Sequence, residues 1–130
     1  MSEAEAKPID RIASPPLAPA EPVIDLAHLG RMTLGEKSLE AEVLALFDRQ
    51  AGILLARMSN APPAEVAAYA HTLKGSARGI GAWRVAEAAQ ALERCAAASA
   101  PAMLAAAIDR LAAAVRKTQA AISALRGDRA

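Results

Sequence analysis

Apolar residues recur at helical spacing through most of this chain, and short polar or proline-rich breaks separate the runs. Between about Glu36 and Met58, Leu39, Val43, Leu46, Phe47, Ile53 and Leu54 recur at intervals of three, four and seven. Further on, an advance of about 100° per residue collects Val66, Tyr69, Ala70, Leu73, Ala77 and Ile80 on one side. The last run is the most regular. Leu104, Ile108, Leu111, Val115, Thr118, Ile122 and Leu125 alternate steps of four and three, the pattern of a bundle seam.

The breaks set the boundaries. Asp25 is a candidate cap for a short helix to about Met32, with Leu26 and Leu29 facing inward. Gly35 separates it from the long helix that ends near Met58. Ser59-Asn60-Ala61-Pro62-Pro63 interrupts the pattern, and Pro63 suits the first turn of a third helix, with Glu65 at its dipole-positive end. That helix reaches Arg78 or Ile80, where Gly79 and Gly81 end or bend it. A fourth runs from about Ala82 to Ala98. Ser99 or Ala100 stands near the cap of the fifth, which starts after the Ser99-Ala100-Pro101 break and stops at Gly127. The expected fold is therefore all-α: an antiparallel four-helix bundle over 23–127, with a short extra N-terminal helix capping one end. Residues 1–22 carry Pro8, Pro15, Pro16, Pro19 and Pro22 and no apolar face, so a flexible leader is expected there.

Composition sharpens this picture. Hydrophobic residues make up 54% of the 130, but many are alanines, and the aromatics are only Phe47, Tyr69 and Trp83. The core must be built from Leu, Ile, Val, Met and close-packed Ala, a mixture that favours helices over strands. Fifteen basic and fourteen acidic side chains leave a net charge of +1, without the basic footprint of a nucleic-acid binder. Cys95 is the only cysteine, so no internal disulfide can form, and it reads as a small, partly buried hydrophobe. No basic stretch precedes an apolar one after Met1, and no run is apolar enough to span a membrane; a cytoplasmic, monomeric protein is expected.

Candidate chemistry is concentrated in His71-Thr72-Leu73-Lys74-Gly75-Ser76, with Gly81 ten residues after the histidine. A glycine inside a helix costs roughly 1 kcal/mol relative to alanine, so Gly75, one turn after an imidazole, invites a reason. The helical projection puts His71 on the solvent stripe, with Lys74, Gly75 and Arg78 as neighbours one and two turns on. A neutral imidazole nitrogen is a good nucleophile near neutral pH. Lys74 can offset new negative charge as a mobile point charge. Gly75 leaves room for a second protein. The rival account of Gly75 and Gly79 is close helix packing. On the fourth helix, Trp83, Glu87, Gln90 and Arg94 share a face, and Gln90 or Arg94 could border the same surface. No metal site is expected, because His28 and His71 are far apart and neither has Glu or Cys at ligand spacing. No glycine-rich phosphate loop is present, so no nucleotide cofactor, ATP hydrolysis or self-phosphorylation is expected.

The run His71-Thr72-Leu73-Lys74-Gly75-Ser76-Ala77, with Gly81-Ala82 and Leu92-Glu93 downstream, resembles the histidine-containing phosphotransfer (HPt) domain family, single-domain bacterial type. The resemblance implies a helical bundle whose exposed histidine takes a phosphoryl group from a receiver-domain aspartate and passes it to another receiver. It makes His71 the phosphoacceptor, Lys74 the charge-stabilising residue and Gly75 the contact-permitting one. Gln90 and Arg94 resemble the polar pair that borders the histidine in some members. The implied partners are response-regulator receiver domains, with a hybrid histidine kinase among the candidates to carry one, and the divalent metal is expected on the receiver. Arg78-Gly79 departs from the small or amide residues common in the family, and Val85 replaces a more usual leucine. Arg78 is therefore a candidate for partner choice. Two other readings stay open: an interaction module that docks response regulators without transfer, and the phosphoacceptor part of a sensor kinase. The latter class places an acidic residue directly after the histidine, where this chain has Thr72.

Overall fold

The computed structural model describes residues 22–98 and 100–127, and within them the chain forms five helices: α1 (Leu26–Met32), α2 (Lys37–Met58), α3 (Pro63–Ile80), α4 (Trp83–Ala98) and α5 (Pro101–Arg126). The expected leader over 1–22 lies, apart from Pro22, outside the described residues. Only four residues join α2 to α3, and two join each later pair, so successive helices must reverse direction. Helix α3 packs on α2 and α4, and α5 closes the ring against α4 and α2. At about 1.5 Å per residue, α2 and α5 are long enough to run the full height of the bundle.

Local chemistry explains the helix ends. Pro63 and Pro101 each sit in a first turn, where a missing N–H costs nothing. Gly81 and Gly127 take the left-handed conformation just after α3 and α5. The Asp25 carboxylate accepts from the His28 backbone N–H through Oδ1 (3.1 Å), capping α1 as expected. Its Oδ2 accepts from Trp83 Nε1–H (3.0 Å), tying α1 to the start of α4. That Trp83 hydrogen bond and the His28 backbone contact hold the Asp25 carboxyl below the usual carboxylate range. The His28 ring donates from Nε2 to the Arg78 carbonyl (2.9 Å), one of the last carbonyls of α3, and leans on Trp83 at 4.9 Å. Helix α1 therefore fastens the α3–α4 corner, beside the larger core interface that the two helices share.

The core takes Leu44, Phe47, Leu54 and Met58 from α2, Val66, Leu73 and Ile80 from α3, Val85 and Leu92 from α4, and Leu111, Val115 and Ile122 from α5. Alanines fill the gaps: Ala51, Ala70, Ala77 and Ala89 are completely buried. They let the helices approach closely, which a core with one phenylalanine needs. Thr118 is also buried, and its hydroxyl donates to the Ala114 carbonyl (2.9 Å). The α3 face is as expected, with Tyr69 half-buried at its edge. Four other expectations fail. Leu26, Leu46, Ile53 and Leu125 are about half exposed, because the inward positions of their helices belong to Leu29, to Leu44 and Ala51, and to Ile122. Cys95 is half-buried against the core.

Candidate phosphotransfer site

The site lies along the seam between α3 and α4. His71 is carried on the outer face of α3, with its side chain 70% exposed. Its Nδ1 lies 3.1 Å from Oε2 of Glu93, which α4 brings across from twenty-two residues away. An ionised carboxylate can only accept, so Nδ1 is the donor in this contact, and in the neutral ring the lone pair is then on Nε2. No hydrogen bond engages Nε2 among the described residues. The other oxygen of Glu93 stands 2.7 Å from Lys74 Nζ. This second contact is a close ion pair. Lys74 is only 16% exposed, so it is a clasped charge and not the mobile one expected from the sequence.

Glu93 is the residue that sequence reasoning left without a role, although it stands in the Leu92-Glu93 pair that contributed to the resemblance. The Lys74 ammonium beside it holds its carboxyl below the usual carboxylate range. Partial burial opposes this, and the His71 ring adds to it. A lowered folded value means that the clasp stabilises the fold above the ordinary carboxylate range and fails as the pH drops through the lowered one. Replacing Glu93 with glutamine is accordingly expected to lower the melting temperature at pH 7, with the native and variant curves converging as the pH falls to the acid side of the usual carboxylate range. Thermal melts followed by circular dichroism across that range check it; a gap that stays constant with pH contradicts it.

The surroundings of the ring are open. A Cβ built on Gly75 or Gly79 would meet nothing within 4 Å, so neither glycine is there for helix packing. Ser76 is turned toward α2, where its hydroxyl donates to Gln50 Oε1 (2.7 Å). Two turns after His71, Arg78 donates from Nη2 to Gln90 Oε1 (3.2 Å), so these two exposed side chains bridge α3 and α4 one turn from Glu93. The structure thus brings His71, Lys74, Gly75, Arg78 and Gln90 onto one seam. Arg94 is not with them: it lines the groove between α4 and α5. Among the described residues no cluster of three His, Cys, Asp or Glu side chains could hold a metal ion.

Residues 37–126, which span α2 to α5, match the family model of the Hpt domain. The chain belongs to the Hpt domain family. Comparison with curated proteins and with solved structures gives no match. Hpt domains are histidine-phosphotransfer modules of two-component signalling, without kinase activity of their own, and their general partners are response-regulator receiver domains. Helix α1 precedes the part of the chain that the Hpt match covers, yet it fastens the corner where α3 meets α4. No helix among the described residues is long and apolar enough to cross a membrane.

Proposed function

We propose that this Hpt domain is a phosphorelay intermediate in which Nε2 of His71 takes a phosphoryl group from a receiver aspartate and gives it to another receiver. One observation carries this reading: Glu93 engages Nδ1 of a largely exposed His71, and the Gly75 position one turn on is open. The Nε2 lone pair attacks phosphorus, the bond to the aspartyl oxygen breaks, and the carboxylate leaves with its electron pair. The ring gains positive character as the Nε2–P bond forms, and the Glu93 carboxylate facing Nδ1 stabilises it. Lys74, one turn from His71, offsets the charge that the phosphoryl oxygens bring. Arg78 and Gln90 form the rim that the receiver meets. The chain neither hydrolyses ATP nor phosphorylates itself, and the divalent metal belongs to the receiver.

The test is transfer from a radiolabelled phosphorylated receiver. Label is expected on this chain in an acid-labile, base-stable form, and fragmentation mass spectrometry under basic conditions is expected to place it on the peptide that holds His71. Stable docking of the receiver with no label on this chain would leave only the interaction-module reading.

A further inference from the structure

A second surface runs along the opposite side of α4. Its centre lies about 160° around the helix from Glu93. Here α4 and α5 leave a groove of about 570 Å³ between them. Its cations are Arg84 and Arg94 from α4 and Arg110 and Lys117 from α5, against the single carboxylate of Glu87. The groove therefore concentrates three net positive charges, in a chain whose total is +1. Arg94, Arg110 and Lys117 have no ion-pair partner among the described residues. Between the cations the wall is alanine from both helices, Ala91 and Ala114 among them.

These features suit one kind of occupant. Small side chains on two neighbouring helices let a third helix settle close to both backbones, since interaxial distance follows the size of the residues at the contact. Cations on both rims then face outward-pointing carboxylates on the incoming helix. From Arg84 to Arg94 the cationic wall extends about 15 Å, the length of roughly three helical turns. We propose that the α4–α5 groove is a docking site for an acidic amphipathic helix of a partner protein, with an Ala/Leu face seated on the alanines and glutamates paired to the rim. A partner held there would stay beside the Hpt domain while His71 remains open to a receiver, which raises the local concentration of whatever is linked to that helix.

The probe is a fluorescently labelled helical peptide of about four turns, with Ala and Leu on one face and Glu flanking them. Its control has every Glu replaced by Gln. Anisotropy titrations at low ionic strength are expected to show saturable binding of the acidic peptide to the full chain and equally to His71→Gln. Binding is expected to weaken about tenfold in the Arg110→Glu/Lys117→Glu double variant and to fall with added salt. Both substitutions are at exposed positions, and circular dichroism confirms the fold of the double variant. Equal binding of the glutamine peptide, equal binding by the double variant, or no saturable binding of the acidic peptide overturns the proposal. So does tighter binding of a single-stranded RNA oligonucleotide of the same charge, which would make the groove a polyanion site of a different class.

Discussion

His71→Gln is expected to abolish phosphoryl uptake while leaving the fold intact. The two side chains are close in size, and the glutamine amide can still donate to the Glu93 carboxylate, so the clasp with Lys74 has no reason to break. What disappears is the lone pair. An amide nitrogen is not a nucleophile, and no other side chain takes its place on this seam: Ser76 donates its hydroxyl to Gln50, and the Lys74 ammonium, paired with Glu93, has no lone pair to offer. Loss of a nucleophile costs far more than loss of a positioning contact, so transfer from a phosphorylated receiver is expected to drop by at least about 10³-fold. Because the His71 side chain is largely exposed, the change in stability should stay within about 0.5 kcal/mol. Quench-flow autoradiography gives the first quantity and urea unfolding the second. Label retained on the variant removes His71 from the chemistry. A variant that loses uptake but also loses several kcal/mol would show a histidine that is structural and not reactive.

Glu93→Gln separates the two roles in the same network. It removes the charge that faces Nδ1 and releases Lys74, yet the His71 side chain keeps its exposure. Uptake should therefore be reduced, not abolished, which distinguishes a positioning group from the nucleophile itself. This division was only partly legible in the sequence. His71, Lys74 and Gly75 lie within one helix, and an advance of 100° per residue is enough to place them on one face. Glu93 belongs to another helix, and its contact with His71 depends on the rotation of α4 against α3. No local pattern encodes that rotation. It comes from the packing of the two helices' buried faces, Leu73, Ala77 and Ile80 with Val85, Ala89 and Leu92, and α1 adds a tie at the corner, where Asp25 reaches Trp83 and His28 reaches the Arg78 carbonyl. The same gap explains Arg94. Its polar neighbours on α4 made it a candidate for the His71 seam, but its true phase carries it to the α5 side.

Misread core positions have a different cause. Where large apolar residues do the packing, as in α5 up to Ile122, the projection is accurate. In α2 the inward stripe is shared with Ala51, whose small side chain gives little hydropathic signal. Leu46 and Ile53 then pull the apparent apolar face away from its true centre, and both lie half exposed. An alanine-rich chain hides its core from pattern analysis because the residues that fit tightest weigh least. The breaks between helices were legible for the opposite reason. Pro63, Pro101, Gly81 and Gly127 act through backbone geometry, which does not depend on what packs against them.

Gly81→Ala should be among the most destabilising single-methyl additions available to this bundle. Two costs coincide there. The residue sits at φ +78°, where an L side chain costs about 1–2 kcal/mol. In addition, its new Cβ would stand 2.9 Å from the Asp25 carbonyl oxygen and 2.9 Å from Asp25 Cβ. The backbone cannot step aside easily, because the Asp25 N–H donates to the Gly81 carbonyl (2.9 Å). Gly127→Ala supplies the comparison: its φ is +79°, but a Cβ there meets nothing within 4 Å among the described residues. The expected loss is about 3 kcal/mol for Gly81→Ala and about 1 kcal/mol for Gly127→Ala, the difference being the overlap with α1. In a domain of this size that separates the melting temperatures by roughly 10 °C. Equal losses at the two glycines would show that only the dihedral angle matters and that α1 is free to yield. If α1 is displaced instead, Trp83 Nε1 loses Asp25 and the Arg78 carbonyl loses His28, which loosens the corner where α3 meets α4. Phosphoryl uptake at His71 should then fall together with stability in Gly81→Ala, and remain native in Gly127→Ala.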